Sequence, residues 1–171
     1  MTAPQQRLYI DTSVFIWYLH SGNTDGYAKA ERFLQDIASG KYQGVTSNFV
    51  RLEYQGYLKE VKATGTGHNA SKQELDLLID ELDRLIEDYG IEEVSADLLL
   101  NQRQSWTDDC VNIITQCQPV LVRDDWVTIK GADSIHAAIA NLAQTQQLAT
   151  LDNDFRSLTG GITPFILWDV Y

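Results

Sequence analysis

Two short apolar segments of the sequence each end in an aspartate, and this repetition constrains the fold more than any other feature. "RLYID" (residues 7–11) ends at Asp11, and "LATLD" (residues 148–152) ends at Asp152. Short apolar runs of this kind are typical of buried strands, and helical patterns separate them along the chain. This alternation predicts an α/β fold with a mainly parallel sheet. Both aspartates should then lie at the carboxyl edge of the sheet, where ligands bind in such folds.

Helical periodicity occupies the long segments between the predicted strands. The clearest case is "KQELDLLIDELDRLIEDYG", in which apolar residues recur at helical spacing and Gly90 provides a C-terminal stop. Thr12 or Ser13 is expected to cap the buried helix "VFIWYLH" that follows the first strand. Further helices are predicted in "YAKAERFLQDIASG", "NFVRLEYQGYLKEV", "TDDCVNIITQC" and "ADSIHAAIANLAQ".

The remaining stretches carry weaker patterns. "YQGVTS" predicts a second short strand, residues 91–94 predict another that a helix follows, and "PFILWDV" predicts a last strand. Residues 62–71 are polar and glycine-containing, which is typical of a linker, and residues 119–130 leave extended structure and loop open. We find no internal repeat or domain boundary, so a single domain over residues 1–171 is expected.

The net charge of −11 argues at first against a nucleic-acid substrate, since proteins that bind nucleic acids usually carry basic patches. However, the segment 74–88 holds seven acids and one base, a net charge of −6, which leaves −5 for the rest of the chain. That remainder equals the charge of the five acids considered below as site residues. The charge therefore does not exclude a polyanionic substrate.

The composition also bears on the cellular compartment. The sequence contains no apolar run approaching the roughly 20 residues of a membrane helix and no signal-peptide pattern, so a cytoplasmic location and no membrane association are expected. Cys110 and Cys117 lie seven residues apart in a predicted helix, about 10 Å along its axis, which is too far for a disulfide. Buried free thiols are predicted. The three histidines are far apart in the sequence, which argues against a zinc site.

Two further acids accompany the aspartates that end the strands. Asp133 begins the Ala-rich helix, and Glu53 lies within "NFVRLEYQGYL", flanked by apolar residues. Carboxylates that are brought together repel one another, and a divalent cation relieves this repulsion. Oxygen-only ligands suit Mg²⁺ or Mn²⁺, and such a site can activate water and bind phosphoryl oxygens. The pattern favours hydrolysis of a phosphodiester.

The sequence resembles the PIN-domain family, and in particular the VapC-type ribonuclease toxins of prokaryotic toxin–antitoxin pairs. The motifs of this family are matched in order by "YIDTSVFI", "TSNFVRLEYQGYL", "ADSIHAAIA" and "ATLDNDF". The resemblance extends over residues 7–58 and 130–168, while residues 62–129 match only in general helical character. It implies a PIN-like three-layer α/β/α sandwich with a mainly parallel central sheet.

The resemblance also implies roles for individual residues. Asp11, Glu53, Asp133 and Asp152 are the implied catalytic carboxylates and ligands of Mg²⁺ or Mn²⁺, with Asp154 ranked below them. Hydrogen bonds that support these ligands are expected from Thr12, Ser13 and Thr150. Three basic residues adjacent to the acids in sequence are candidates for contacts with RNA phosphates: Arg51, Lys130 and Arg156.

Each assignment has a purely structural alternative. Asp11 and Asp133 can serve only as acids at helix N-termini, and Asp154 as a residue of a surface turn. Glu53 can be an exposed helix residue, in which case Glu60 is the substitute. His136 is expected to pack or to form hydrogen bonds rather than to act as a base.

The leading hypothesis from the sequence is a metal-dependent endoribonuclease that is the toxin of a toxin–antitoxin pair. The resemblance implies an RNA substrate, a cognate antitoxin partner and a homodimer. One alternative is a catalytically inactive PIN-like module that binds RNA or protein. Another is a phosphatase of the haloacid dehalogenase type, which requires an aspartate two residues after the first; that position is Ser13 here.

Overall fold

The centre of the protein is a five-stranded parallel sheet. A computed structural model describes residues 5–22, 24–66, 71–96 and 106–171. Its strands are β1 Gln6–Ile10, β2 Tyr42–Ser47, β3 Glu92–Val94, β6 Gln147–Thr150 and β7 Thr163–Ile166. They follow the order β3-β2-β1-β6-β7, and every neighbouring pair is parallel.

Helices cover both faces of the sheet. In the described part of the chain these are α1 Thr12–His20, α2 Asp25–Ala38, α3 Phe49–Thr66, α4 Lys72–Asp88, α5 Trp106–Gln116, α6 Gly131–Leu142 and the short α7 Leu167–Val170. Along β1, Leu8 and Ile10 face the apolar core formed with α1 to α4, whereas Tyr9 faces the core formed with α6. This alternation follows from the two-residue period of a strand. The predicted α/β/α sandwich with a parallel sheet is confirmed.

The sheet order brings the two strands that end in aspartate side by side. β1 and β6 pair in parallel, with Ile10 opposite Ala149, and the backbone N–H of Asp11 donates to the carbonyl of Ala149 at 3.0 Å. Parallel neighbours share their carboxyl ends, so Asp11 and Asp152 emerge at one edge. The expected adjacency of the two strands is confirmed.

The acidic helix α4 begins and ends as its sequence predicts. Ser71 and Glu74 form a reciprocal capping box at its start. At its end, Gly90 has φ +63°, and the N–H groups of Gly90 and Ile91 donate to the carbonyls of Glu87 and Ile86. This is a Schellman motif, in which glycine is favoured because other residues are strained at positive φ.

The structure corrects or completes four expectations about local structure. Asp11, not Thr12 or Ser13, is the N-cap of α1. α3 continues through Thr66 into the predicted linker, of which residues 67–70 lie outside the described part of the chain. The last strand ends at Ile166, because the chain turns into α7 there. The helix predicted after residue 94 falls largely on residues 97–105, which also lie outside the described residues.

Residues 119–130, which the sequence left open, contain an antiparallel hairpin of β4 Val120–Val122 and β5 Asp125–Val127. The hairpin packs on a 3-10 helix, Asn153–Ser157, that directly follows Asp152. The backbone N–H of Ile129 donates to Ser157 Oγ at 2.9 Å. The hairpin is therefore fixed beside the carboxyl edge of the sheet.

The two cysteines and the lengths of the helices bear on the expectations from composition. Cys110 and Cys117 are free and buried, as expected. None of the helices in the described ranges is long and apolar enough to span a bilayer.

Candidate active site

Asp11 lies at the junction of β1 and α1, where it is 4 % exposed. Its Oδ2 accepts hydrogen bonds from the Ser13 N–H at 3.2 Å, from Ser13 Oγ at 2.6 Å and from Thr150 Oγ1 at 2.9 Å. Its other oxygen, Oδ1, faces His136 Nε2 at 3.4 Å. Several donors to one oxygen fix the orientation of the carboxylate, and they leave Oδ1 facing His136.

Glu53 projects from α3 toward the same point. Thr12 Oγ1 donates to Glu53 Oε2 at 2.6 Å, and the same oxygen is in contact with His136 Nε2. Burial alone would raise the pKa of Glu53, but the hydrogen bonds and charge of His136, with the bond from Thr12, outweigh burial and lower it. Glu53 is therefore held as a carboxylate. Glu60 is exposed further along α3 and lies outside this cluster.

His136 connects the first strand to the acids. Burial would lower its pKa, yet the hydrogen bond with Glu53 and the charges of Asp11, Glu53 and Asp133 raise it, which favours the imidazolium. Its Nδ1 lies 3.0 Å from Tyr9 Oη, and that hydroxyl lies 2.7 Å from Ser47 Oγ. The imidazole thus forms hydrogen bonds, as the sequence led us to expect.

Sequence reasoning missed Tyr9 and Ser47. Tyr9 is one of the apolar residues of a buried strand, and Ser47 reads as a strand end. No periodic signal distinguishes a tyrosine hydroxyl that reaches a histidine from one that does not. Only the pairing of β1 with β2 reveals the contact, because it places Tyr9 opposite Val45, two residues from Ser47.

Asp133 and Asp152 carry charge that no neighbour fully compensates. Burial, together with the charges of Asp152, Asp11 and Asp154, raises the pKa of Asp133 from 3.8 to about 6, even though the Lys130 N–H donates to it at 2.8 Å. Burial and the charges of Asp154 and Asp11 also raise the pKa of Asp152. An excess of negative potential at this edge favours binding of a cation.

Asp154 is paired with a base. Its carboxylate forms an ion pair with Lys130, and its backbone N–H donates to Asp152 Oδ1 at 2.8 Å. Asp152 is thereby the N-cap of the 3-10 helix. Lys130, a candidate for contacts with phosphate, pairs directly with Asp154 and also offsets part of the charge of Asp152.

The other two candidate RNA-binding cations are also held by carboxylates. Arg51 pairs with Asp83 at 2.8 Å and with Glu93. Arg156 forms a bidentate pair with Asp169, at 2.8 Å and 2.6 Å. Both arginines are half-buried, and binding a phosphate would require each to exchange or share its partner.

The donor set suits a hard divalent cation. One oxygen each of Asp11 and Glu53 and a ring nitrogen of His136 lie within 4.8 Å of one another, the only such group in the described ranges. The two carboxylates are the ligands in this group, because the imidazolium form of His136 has no lone pair to offer a metal. Asp133 and Asp152 lie outside that group but close enough for their charges to act on Asp11 or on each other. Carboxylate oxygens are the preferred ligands of Mg²⁺ and Mn²⁺, so the residues fit such an ion.

Comparisons with known proteins agree with this architecture. The sequence matches the family model described as "PIN domain" over residues 8–161. The fold is similar to the crystal structure of VapC20 from Mycobacterium tuberculosis, described as a toxin that cleaves the sarcin–ricin loop. The TM-score is 0.51 at 16 % identity, and the match covers 88 % of this chain and 93 % of VapC20. A comparison with curated proteins gives no match. Because the family model spans most of the chain, the protein belongs to the PIN-domain family.

Proposed function

We propose that this protein is a metal-dependent endoribonuclease of the VapC type that hydrolyses RNA phosphodiester bonds. The observation that carries the proposal is the largely buried cluster of Asp11, Glu53 and His136 at the end of the first strand. Asp133 and Asp152 lie close enough to Asp11 for its charge to help raise both of their pKa values, that of Asp133 to about 6. Membership of the PIN-domain family and the resemblance to a toxin that cleaves RNA support the choice of substrate.

The residues of the chain would perform three tasks. Asp11, Glu53, Asp133 and Asp152 would hold Mg²⁺ or Mn²⁺, with Asp154 of lesser importance because Lys130 occupies it. Ser13 and Thr150 orient Asp11, and Thr12 orients Glu53, through the hydrogen bonds described above. A bound divalent cation supplies activation of water and neutralisation of the phosphoryl charge. Fixed ligand orientation keeps the site in a productive geometry without reorganisation.

Cleavage of labelled RNA by the purified protein tests this function. We expect cleavage in Mn²⁺ or Mg²⁺, no cleavage in EDTA, and a loss of at least about a hundredfold for Asp11→Asn. Asp76→Asn is the matched control, because it replaces a carboxylate with an amide in the same way, but at an exposed position of α4. Cleavage that persists in EDTA or in Asp11→Asn would contradict the mechanism. Absence of cleavage by the wild-type protein would favour a catalytically inactive module.

The biological setting is part of the proposal. We infer a cytoplasmic toxin that acts as a homodimer and that a cognate antitoxin inhibits, as the VapC-type relationship implies. Expression of the chain should arrest growth, and co-expression of a small protein encoded beside it should restore growth. If expression of the Asp11→Asn variant arrested growth as strongly as expression of the wild-type protein, the arrest would not result from RNA cleavage and the proposal would be contradicted.

A further inference from the structure

A groove of about 980 Å³ opens directly beside the proposed active site. Its lining includes Ser13 and Asp152 from the proposed active site, Leu121 and Arg123 from the hairpin, and Trp168 from α7. Because Asp152 lines the groove and is also one of the acids of the proposed site, the groove adjoins these carboxylates. A chain that places a phosphate at the carboxylates can therefore continue into the groove.

Arg123 differs from the other arginines around the site. It lies at the tip of the hairpin, is exposed, and makes no ion pair or hydrogen bond with any residue in the described ranges. Arg51 and Arg156 are both paired with carboxylates. An unpaired guanidinium at the rim of a groove that ends at a cation site is complementary to a phosphate backbone.

Two tryptophans also line the groove. Trp168 Nε1 donates to the carbonyl of Leu151 at 2.7 Å, which fixes the indole one residue from Asp152. Trp17 packs against Trp168 in a T-shaped arrangement with ring centroids 5.6 Å apart, and Lys29 Nζ lies over the Trp168 ring, 5.8 Å from its centroid. Fixed aromatic surfaces next to a cation bind single-stranded nucleic acid by stacking, because unpaired bases expose their faces. A duplex hides those faces.

We propose that this groove binds the single-stranded RNA segment next to the scissile phosphate, and that Arg123 binds a backbone phosphate within it. The proposal rests on the proposed function, because the carboxylates define the end of the groove. The hairpin of residues 120–127 then positions substrate without taking part in the reaction. Charge on Arg123 and aromatic surface on Trp168 together favour RNA over a protein segment as the occupant.

Fluorescence anisotropy of a fluorescein-labelled, single-stranded RNA of mixed sequence tests the proposal. The binding measurements use the Asp11→Asn chain in Mg²⁺, so that cleavage does not interfere. Arg123→Glu should weaken binding by about tenfold or more, and Arg123→Ala should lower the salt slope by about 0.7. Arg123→Lys should retain most of the affinity. Arg84→Glu and Arg84→Ala are matched controls, since Arg84 is exposed on α4 and outside the groove.

Two results would overturn the proposal. One is that the Arg123 variants bind RNA like the corresponding Arg84 variants. The other is that Arg123→Glu changes self-association in sedimentation but leaves RNA binding unchanged, which would assign the groove to a second copy of the chain. The function is tested separately: cleavage that requires Asp11 but not Arg123 supports the function and rejects the groove. RNA binding that requires Arg123, without any cleavage by the wild-type protein, supports the groove and rejects the nuclease function.

Discussion

At the residue scale, a few hydroxyl groups and one imidazole determine where the acids point. Ser13 and Thr150 hold one oxygen of Asp11, and Thr12 and His136 hold one oxygen of Glu53. The second oxygen of Asp11 faces the same imidazole. Hydrogen bonds to charged groups are stronger than neutral ones, so the contacts of Glu53 lower its pKa and keep it in the ionised form that a metal site requires.

Tyr9→Phe tests the buried contact behind His136. The change removes only the hydroxyl that lies beside both His136 Nδ1 and Ser47 Oγ, and it leaves these groups with fewer partners. We expect the free energy of unfolding to fall by about 1 to 3 kcal/mol and RNA cleavage to fall several-fold. Urea denaturation and a cleavage assay measure the two effects.

Tyr27→Phe is the control for this variant. It removes a hydroxyl that donates to Glu31 at 3.0 Å in a half-exposed position of α2. A smaller loss of stability and unchanged cleavage are expected. If both variants behaved alike, Tyr9 would have no special role in orienting His136.

Asp133→Asn tests whether repulsion between Asp133 and the neighbouring carboxylates destabilises the folded protein. Because the folded-state pKa is about 6 and the ordinary value is 3.8, the folded protein binds this proton more tightly than the unfolded chain does. Ionised Asp133 therefore opposes folding above about pH 6, and this penalty disappears as the pH falls toward 4. In EDTA, Asp133→Asn should be more stable than wild type by about 1 to 2 kcal/mol at pH 7 to 8.

The pH dependence of that difference is the decisive part. Urea denaturation between pH 4 and pH 8 should show the difference between the two proteins shrink toward pH 4, where Asp133 is protonated in the folded state and begins to gain its proton in the unfolded state. A constant difference across this range, or a less stable variant at pH 8, would contradict the repulsion. The Lys130 N–H can still donate to the amide oxygen, so the local hydrogen bond is preserved.

At the scale of elements, the sequence predicts best those segments in which periodicity and capping agree. For α4, the apolar stripe, the capping box and Gly90 all indicate the same helix. The hairpin of residues 120–127 has no such agreement, because its short strands are mostly exposed and its turn contains no glycine. α3 is longer than predicted, because glycine and threonine weaken a helix without ending it.

The candidate site was predictable to a similar degree. Carboxylates that follow buried strands or begin helices have a visible sequence context, as Asp11, Asp133 and Asp152 do. The hydrogen bonds of Tyr9 and the pairing of Lys130 with Asp154 depend on contacts between distant elements. A single sequence carries no pattern for such contacts, so only the structure reveals them.

Two glycines provide opposite tests at this scale. Gly90 has φ +63° after α4, so Gly90→Ala should reduce stability by about 1 kcal/mol. Gly56 lies within α3, and a methyl group there would meet nothing within 4 Å, so Gly56→Ala should raise stability by about 0.5 to 1 kcal/mol. Thermal or urea denaturation measures both. Shifts of the same sign would contradict the assigned backbone conformations.

At the scale of the whole molecule, negative charge is concentrated in two places. Residues 74–88 carry a net charge of −6 on α4, while Asp11, Asp133 and Asp152 lie near enough to one another at the edge of the sheet for their charges to interact. The charge on α4 is ordinary solvated helix surface over an apolar stripe. The charge at the sheet edge is buried or half-buried, and the raised pKa values of Asp133 and Asp152 follow from this burial. The two acidic regions are therefore chemically different, even though both contribute to the net charge of −11.

If the acids at the sheet edge bind a divalent cation, Mn²⁺ binding measured by electron paramagnetic resonance should depend on them. We expect the wild-type protein and Asp76→Asn to bind Mn²⁺ equally, and Asp11→Asn to bind at least about tenfold more weakly. Affinity should also fall as the pH drops through about 6, where Asp133 gains its proton. Equal binding by all three proteins, or binding that does not change across this pH range, would contradict a cation site formed by these acids.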